Sequence, residues 1–271
     1  MNLAERIEAL YEKKNNFNDE DYQLFLEFRK QLELGLIRAA AKINDVWETN
    51  IWVKKGILTG FRLGSLTEMP WSDRKIFWDK NTYPERMFSA KEGIRIVPGG
   101  SSIRSGSYLG SNITIMPPSY INTGAYIDDG TMLDSHSLVG SCAQIGKRVH
   151  LSAGAMIGGV LEPIGNNPVI IEDEAFIGGN CGIYEGVIVR AKAIIAAGVI
   201  LTAATRIYDA VNRKFLKTGK EEPLTVPERA VVISGSRKLE GEENISMYCP
   251  IIIKYRDQKS DNSVTLEDWL R

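Results

Sequence analysis

Every sixth residue from Ile103 to Ile157 is leucine, isoleucine or valine; Leu109, Ile115, Ile121, Ile127, Leu133, Val139, Ile145 and Leu151 fill the register between them. The count resumes at Ile171 and runs through Ile177, Ile183, Val189, Ile195 and Leu201 to Ile207. Such a period fits neither an amphipathic helix, which repeats about every 3.6 residues, nor a simple alternating strand. It marks a parallel β-helix, in which each hexad supplies one short strand and one corner. Three hexads close a triangular coil, so every aliphatic side chain points inward and stacks on its equivalents above and below. At roughly 4.8 Å between coils, about six coils make a rod on the order of 30 Å long. Four places after the aliphatic residue the side chain is small, as in Ser119, Ala125, Thr131, Ser137, Ala143, Ala155, Ala175, Ala193 and Thr205. A second inward position near a corner has little room. Glycines such as Gly110, Gly124, Gly130, Gly146, Gly158, Gly178 and Gly198 are expected where corners need unusual backbone angles.

Two excursions interrupt the repeat. Between Ile157 and Ile171 the turn-rich stretch Glu162-Pro163-Ile164-Gly165-Asn166-Asn167-Pro168 adds two residues to the twelve that the register requires. From Tyr208 to about Arg229 the period is lost in a charged loop with Arg213, Lys214, Lys217, Lys220, Glu221 and Glu222. Val231-Val232-Ile233 returns to the prism. Residues 1–95 have a different texture and form a small α/β domain, expected on one end of the prism. Leu3, Ile7, Leu10 and Tyr11 predict a short amphipathic helix. Asn18-Asp19-Glu20-Asp21 caps a second helix running to Leu34, with Gly35 as its stop. Residues 36–43 and 46–49 read as a hairpin around Asn44-Asp45, and residues 51–61 as a third helix. The prism proper spans 96–240, with its loop near 208–230. Residues 241–271 form a C-terminal extension, with a strand over 245–255 and a helical turn over 266–271. The fold class is thus mainly β, a parallel β-helix with a small N-terminal α/β domain.

Lys and Arg number 33 against 34 Asp and Glu, a net charge of -1, and no basic tract with interleaved aromatics occurs. That balance speaks against nucleic acid as a partner. No apolar run has the length of a membrane span, and the charged, amphipathic start is no secretory signal. Cys142, Cys181 and Cys249 lack metal or redox spacing. Cys142 and Cys181 are read as interior core thiols, and the chain as a cytoplasmic protein. Its two histidines, His136 and His150, are too few for a three-histidine zinc site, so no metal is expected.

A β-helix interior is filled by its own side chains, so a site must lie on a face, under a loop or between subunits. Flat faces packing around a threefold axis predict a homotrimer with sites between subunits. The register aims Asp134, in Gly130-Thr131-Met132-Leu133-Asp134-Ser135-His136, outward beside His136. Glu185, in Ile183-Tyr184-Glu185-Gly186, also points outward. Arg95 precedes the first coil and Arg206 ends the last regular hexads. His150, beside Leu151, reads as structural, and Asp128, Asp129, Glu172, Asp173 and Glu174 as corner or surface charges.

Several strings carry a resemblance: Gly130-Thr131-Met132-Leu133-Asp134, Val139-Gly140-Ser141-Cys142-Ala143-Gln144-Ile145-Gly146-Lys147, Val149-His150-Leu151-Ser152, Ile157-Gly158-Gly159-Val160-Leu161-Glu162-Pro163 and Thr205-Arg206-Ile207-Tyr208-Asp209. On these the chain resembles the tetrahydrodipicolinate N-succinyltransferases over nearly its whole length. The resemblance implies a homotrimer of left-handed β-helices with shared sites. It implies transfer of succinyl from succinyl-CoA to the amine of a tetrahydrodipicolinate-derived dicarboxylate, giving N-succinyl-2-amino-6-oxopimelate in lysine and diaminopimelate biosynthesis. Arg95 matches a substrate-binding arginine and Asp134 the substrate-binding, catalytic aspartate. A guanidinium fork can hold a carboxylate in two places, and an amine attacking a thioester must lose a proton to a nearby base. Lys147, Arg148, Arg237 and Lys238 are candidate cations for coenzyme A. Two positions depart from the family pattern. Gly182 stands where relatives carry a glutamate, leaving Glu185 as the second catalytic candidate, and His136 stands where they carry tryptophan. These departures keep open an alternative, a related N-acyltransferase that uses acetyl-CoA or another amino-acid acceptor.

Overall fold

The computed structural model describes residues 1–13, 15–72, 75–219 and 222–257; the expected helical turn over 266–271 lies outside them. The repeat folds into a left-handed parallel β-helix of three faces. The first face starts at Ile94–Ile96, the second at Ser102–Ile103 and the third at Tyr108–Leu109, after which the chain returns to the first at Ile113–Ile115. Leu109, Ile127 and Ile145 are parallel partners, so one coil takes 18 residues. The second and third faces have six strands each. The first has ten: Ile251–Tyr255 pairs antiparallel with Ala230–Ile233, and Tyr208–Asp209 and Lys214–Phe215 of the second excursion extend the sheet beyond it. The inward aliphatic residues form one continuous buried column.

The first excursion is longer than the residue count suggests. Ile157 lies on the second face and Ile171 on the third, directly above Ile145. Only one hexad is needed between them, so Ile145 and Ile171 are 26 residues apart instead of 18 and the loop carries eight extra residues, not two. The second excursion leaves after Leu201, from the same corner. It ends at Thr225–Val226, which rejoins the third face above Ile188–Val189. The prism therefore resumes before Val231.

Corner glycines divide into two kinds. The third place after most of the aliphatic residues is left-handed, occupied by Gly124, Gly130 and Gly198 but also by Asn112, His136, Cys142, Arg148, Glu174, Asn180 and Lys192. Gly110, Gly146 and Gly178 stand at the first place and have ordinary angles. There the constraint is the next coil: a Cβ on Gly146 would come within 2.3 Å of the Asp173 carboxylate. The same register corrects the reading of Cys142. Its φ of 69° turns the thiol away from the prism interior, where Ala143 sits instead, and into the N-terminal core with Val53 and Ile57. Burial pushes that thiol up to about 12. Cys181 is a prism-core thiol as expected.

The N-terminal domain holds helices α1 (Leu3–Glu12), α2 (Asp19–Glu33) and α3 (Ile51–Leu63). Both α1 and α2 begin with a reciprocal side-chain cap, Asn2 with Glu5 and Asn18 with Asp21. Gly35, at φ 69°, ends α2. The strands Ala40–Ile43 and Val46–Thr49 pair around Asn44 and Asp45, both left-handed as a two-residue hairpin requires. A second hairpin, Leu66–Ser72 with Lys75–Lys80, had no clear sequence signal. The domain does not sit on one end of the prism. It lies along the flank, because the corner between the second and third faces is apolar on its outside. Cys142 joins the N-terminal core and Leu161 packs against it, while Ala40 and Trp47 pack against Ile170 and Ile188 on the third face. The Lys54 ammonium, fully buried, donates to the Asn166 carbonyl at 2.5 Å, and Thr49 Oγ1 donates to Asn167 Oδ1 at 2.7 Å. The first excursion is thereby tied down. Among the described residues no helix is long and apolar enough to cross a membrane.

Candidate active site

The first face presents one outward column of paired residues: Arg95, Thr114, Met132, His150, Phe176, Ile194 and Val231. Asp134 follows Leu133 at the corner leading to the second face. Its Oδ2 lies 2.9 Å from His150 Nε2, one coil further on. The His150 side chain is only 12% exposed against 28% for Asp134. Its ring meets Phe176 edge-on at 4.9 Å between centroids. His150 is thus the partner of Asp134, a role the sequence did not reveal. Sequence adjacency points to His136, but a left-handed φ of 64° places His136 on the exposed tip of the same corner. The signal for His150 was available: residues 16 apart in an 18-residue coil are near neighbours on successive coils.

Arg95 lies on the same face, two strand spacings or roughly 10 Å from the coil of Met132. A pimelate-length dicarboxylate and an arginine side chain can bridge such a gap together. Glu185 lies elsewhere. It occupies the corner between the second and third faces, and its Oε2 accepts from the Ala203 N–H at 3.1 Å. Within one chain it does not meet Asp134.

The four candidate coenzyme cations fall into two separate places. Lys147 and Arg148 are on the corner between the third and first faces, paired with Asp129 at 3.7 Å and Glu174 at 2.9 Å. Arg237 and Lys238 belong to the terminal hairpin Ser236–Lys238 with Ser246–Tyr248. That hairpin closes the end of the second face, where the Ile200 N–H donates to the Tyr248 hydroxyl at 2.8 Å. Arg237 directs Nη2 to the Met247 sulfur at 3.5 Å, and its Nε is buried without a partner.

Gly182 and Tyr184 are coupled. The Tyr184 ring folds back along the second face over Gly182 and Gly158, and a Cβ on Gly182 would come within 2.4 Å of it. No larger residue fits at 182 while that ring is in place. Glu172, read as a surface charge, is a buried anchor. Trp47 Nε1, Lys42, Arg190 and the Ala191 N–H converge on it at 2.8–3.0 Å. A cleft of about 850 Å³ opens between the second hairpin and the start of the second face, lined by Trp78, Met87, Arg104 and Tyr120. Asp134, Arg95 and Glu185 do not line it.

Residues 2–63 match the family described as tetrahydrodipicolinate N-succinyltransferase N-terminal, and residues 168–203 match the hexapeptide repeat of succinyl-transferase. Proteins named 2,3,4,5-tetrahydropyridine-2,6-dicarboxylate N-succinyltransferase are similar along most of the chain. The one from Buchnera aphidicola subsp. Baizongia pistaciae is 44% identical over 246 residues, covering 89% of this chain and 85% of its own. Those from Idiomarina loihiensis and Acinetobacter baylyi are 39% and 40% identical, covering 100% and 99% of this chain and 98% of their own.

Proposed function

The chain belongs to the tetrahydrodipicolinate N-succinyltransferase family, and from that premise we propose the following reaction and roles. The enzyme takes succinyl from succinyl-CoA and places it on the amine of ring-opened tetrahydrodipicolinate, giving N-succinyl-2-amino-6-oxopimelate for lysine and diaminopimelate synthesis. The amine nitrogen attacks the thioester carbon, the carbonyl electrons move to oxygen, and collapse of that oxyanion expels the coenzyme A thiolate. The nitrogen must shed a proton as the bond forms. Asp134 is its acceptor, and the Arg95 guanidinium holds a substrate carboxylate further down the same face. The observation that carries this reading is the placement of Asp134 and Arg95 on one face, with membership of the family behind it.

The active form is a homotrimer in the cytoplasm, and each site is completed by the face of a neighbouring prism. Glu185, on another corner, joins this chemistry only if it comes from that neighbour. The two cation pairs, Lys147 with Arg148 and Arg237 with Lys238, belong to different stretches of a coenzyme path. The coupled Gly182–Tyr184 pair favours keeping a second donor in the test, since a phenol ring covers the surface where the family resemblance implies a carboxylate. Coenzyme A thiol release with L-2-aminopimelate as acceptor, run with succinyl-CoA and acetyl-CoA in parallel, decides the matter. Turnover with succinyl-CoA is expected. A preference for acetyl-CoA, or none with this acceptor, would overturn the assignment.

A further inference from the structure

We infer that His150 is a positioning residue that fixes the Asp134 carboxylate with one oxygen held and the other presented to substrate; this rests on the proposed role of Asp134. His150 Nε2 stands 2.9 Å from Asp134 Oδ2. On the opposite side of the ring, Nδ1 is buried and has no hydrogen-bond partner. A neutral imidazole carries one N–H and one bare nitrogen. Placing the hydrogen on Nδ1 would bury a donor with nothing to receive it, and would leave two acceptors, Nε2 and Oδ2, facing each other. The tautomer with hydrogen on Nε2 avoids both, so the ring donates to Asp134. Phe176 against the ring edge and Met132 on the neighbouring strand leave the imidazole little freedom to turn.

The consequence reverses a familiar arrangement. In hydrolytic triads a buried carboxylate orients a histidine, and the histidine moves the proton. Here the histidine is the buried member and the carboxylate faces outward. With Nε2 already bearing hydrogen, the ring has no vacancy at that atom for a second proton. The proton from the attacking amine is therefore received by Asp134 Oδ1 and passes from there to solvent, not through His150. Oδ1 makes no hydrogen bond with the described residues, which leaves it available to the amine.

The test compares His150→Gln, whose amide nitrogen reaches about as far as Nε2, with His150→Leu, which keeps the volume and loses the donor. Asp134→Asn is the control. Thiol release is measured on the purified full-length chain, with kcat and each KM read separately. The expected result is a fall in kcat on the order of tenfold to a hundredfold for His150→Leu, the scale on which a misplaced reacting group loses rate. The KM for succinyl-CoA should not move, and His150→Gln should recover most of the loss. Equal losses for Gln and Leu, or a wild-type kcat for Leu beside an inactive Asp134→Asn, would overturn the role of His150 alone. A fully active Asp134→Asn would overturn the role of Asp134 and with it this one. Should the leucine variant not fold, nitrogen NMR of the unmodified protein decides. With only two histidines in the chain, a His136→Asn sample assigns the spectrum. Hydrogen on Nε2 is expected, and hydrogen on Nδ1 would overturn the inference.

Discussion

Asp134 and Glu172 occupy the same place in the repeat, one residue after an inward aliphatic side chain, at two different corners. Glu172 follows Ile171 where the third face turns to the first; Asp134 follows Leu133 where the first turns to the second. The N-terminal hairpin lies over the third face, so Glu172 is met by Trp47 and Lys42 from above and by Arg190 and Ala191 from the next coil. Its carboxylate is saturated and only 9% exposed. Asp134 has one described side-chain partner, His150, and is three times as exposed. The repeat supplies an outward carboxylate at both places. What covers the face decides whether it becomes a structural anchor or a reactive group.

The strongest way to break this contrast is Asp134→Asn. Turnover should fall at least about a hundredfold, while the thermal midpoint changes by no more than an exposed substitution usually causes. Loss of fold instead of loss of rate would place Asp134 with Glu172. Glu172→Gln should do the reverse: kcat within a small factor of wild type, and stability lowered by about 2–3 kcal/mol as the buried ion pairs go, read by chemical denaturation. Burial alone would raise the Glu172 carboxyl, but the Trp47 indole, Lys42, Arg190 and the Ala191 N–H together hold it below the usual carboxylate range. Its contribution is therefore present above about pH 4.3, the ordinary glutamate value. It is lost as pH falls through the lowered folded value, so the variant should show a flatter acid limb in a stability–pH profile.

Two smaller effects sharpen the picture. Glu185→Gln keeps an oxygen for the Ala203 N–H, so a kcat loss of about tenfold or less is expected. A loss as deep as that of Asp134→Asn would mean that Glu185 serves the centre from a neighbouring subunit. Asp129 stands one place later in the repeat than Asp134 and accepts from both the backbone N–H and the hydroxyl of Ser111. The Ser111 N–H is the main reason its carboxyl lies below the usual range. Asp129→Asn should leave turnover unchanged and lower the thermal midpoint by about 1–2 °C; any kinetic defect there would argue against reading function from corner position.

The prism was legible in the sequence because one physical rule generates it: an inward aliphatic residue every sixth place. The register also fixed which residues face outward, so Asp134, Glu185 and their corners were readable. The pairings were not. Sequence adjacency favours His136 as the partner of Asp134, yet contact in a coil runs to the next turn, 16 residues on at His150. Glu172 read as an ordinary surface charge because nothing in its own hexad announces the hairpin that covers it. Cys142 misled because a left-handed corner turns its side chain outward from a place that looks interior. The length of the first excursion was misjudged because six-residue spacing does not say which face a strand rejoins.

Both excursions leave from the corner between the second and third faces, and neither disturbs the pairing of the coils on either side. Ile145 still stacks beneath Ile171, and Val189 beneath Val226. Chain length at that corner is thus uncoupled from the phase of the repeat. For an engineer this makes the corner a splice point. A peptide inserted near Gly165, where even an added Cβ would meet nothing within 4 Å, lengthens a surface loop and leaves the spacing between Asp134 and Arg95 as it was.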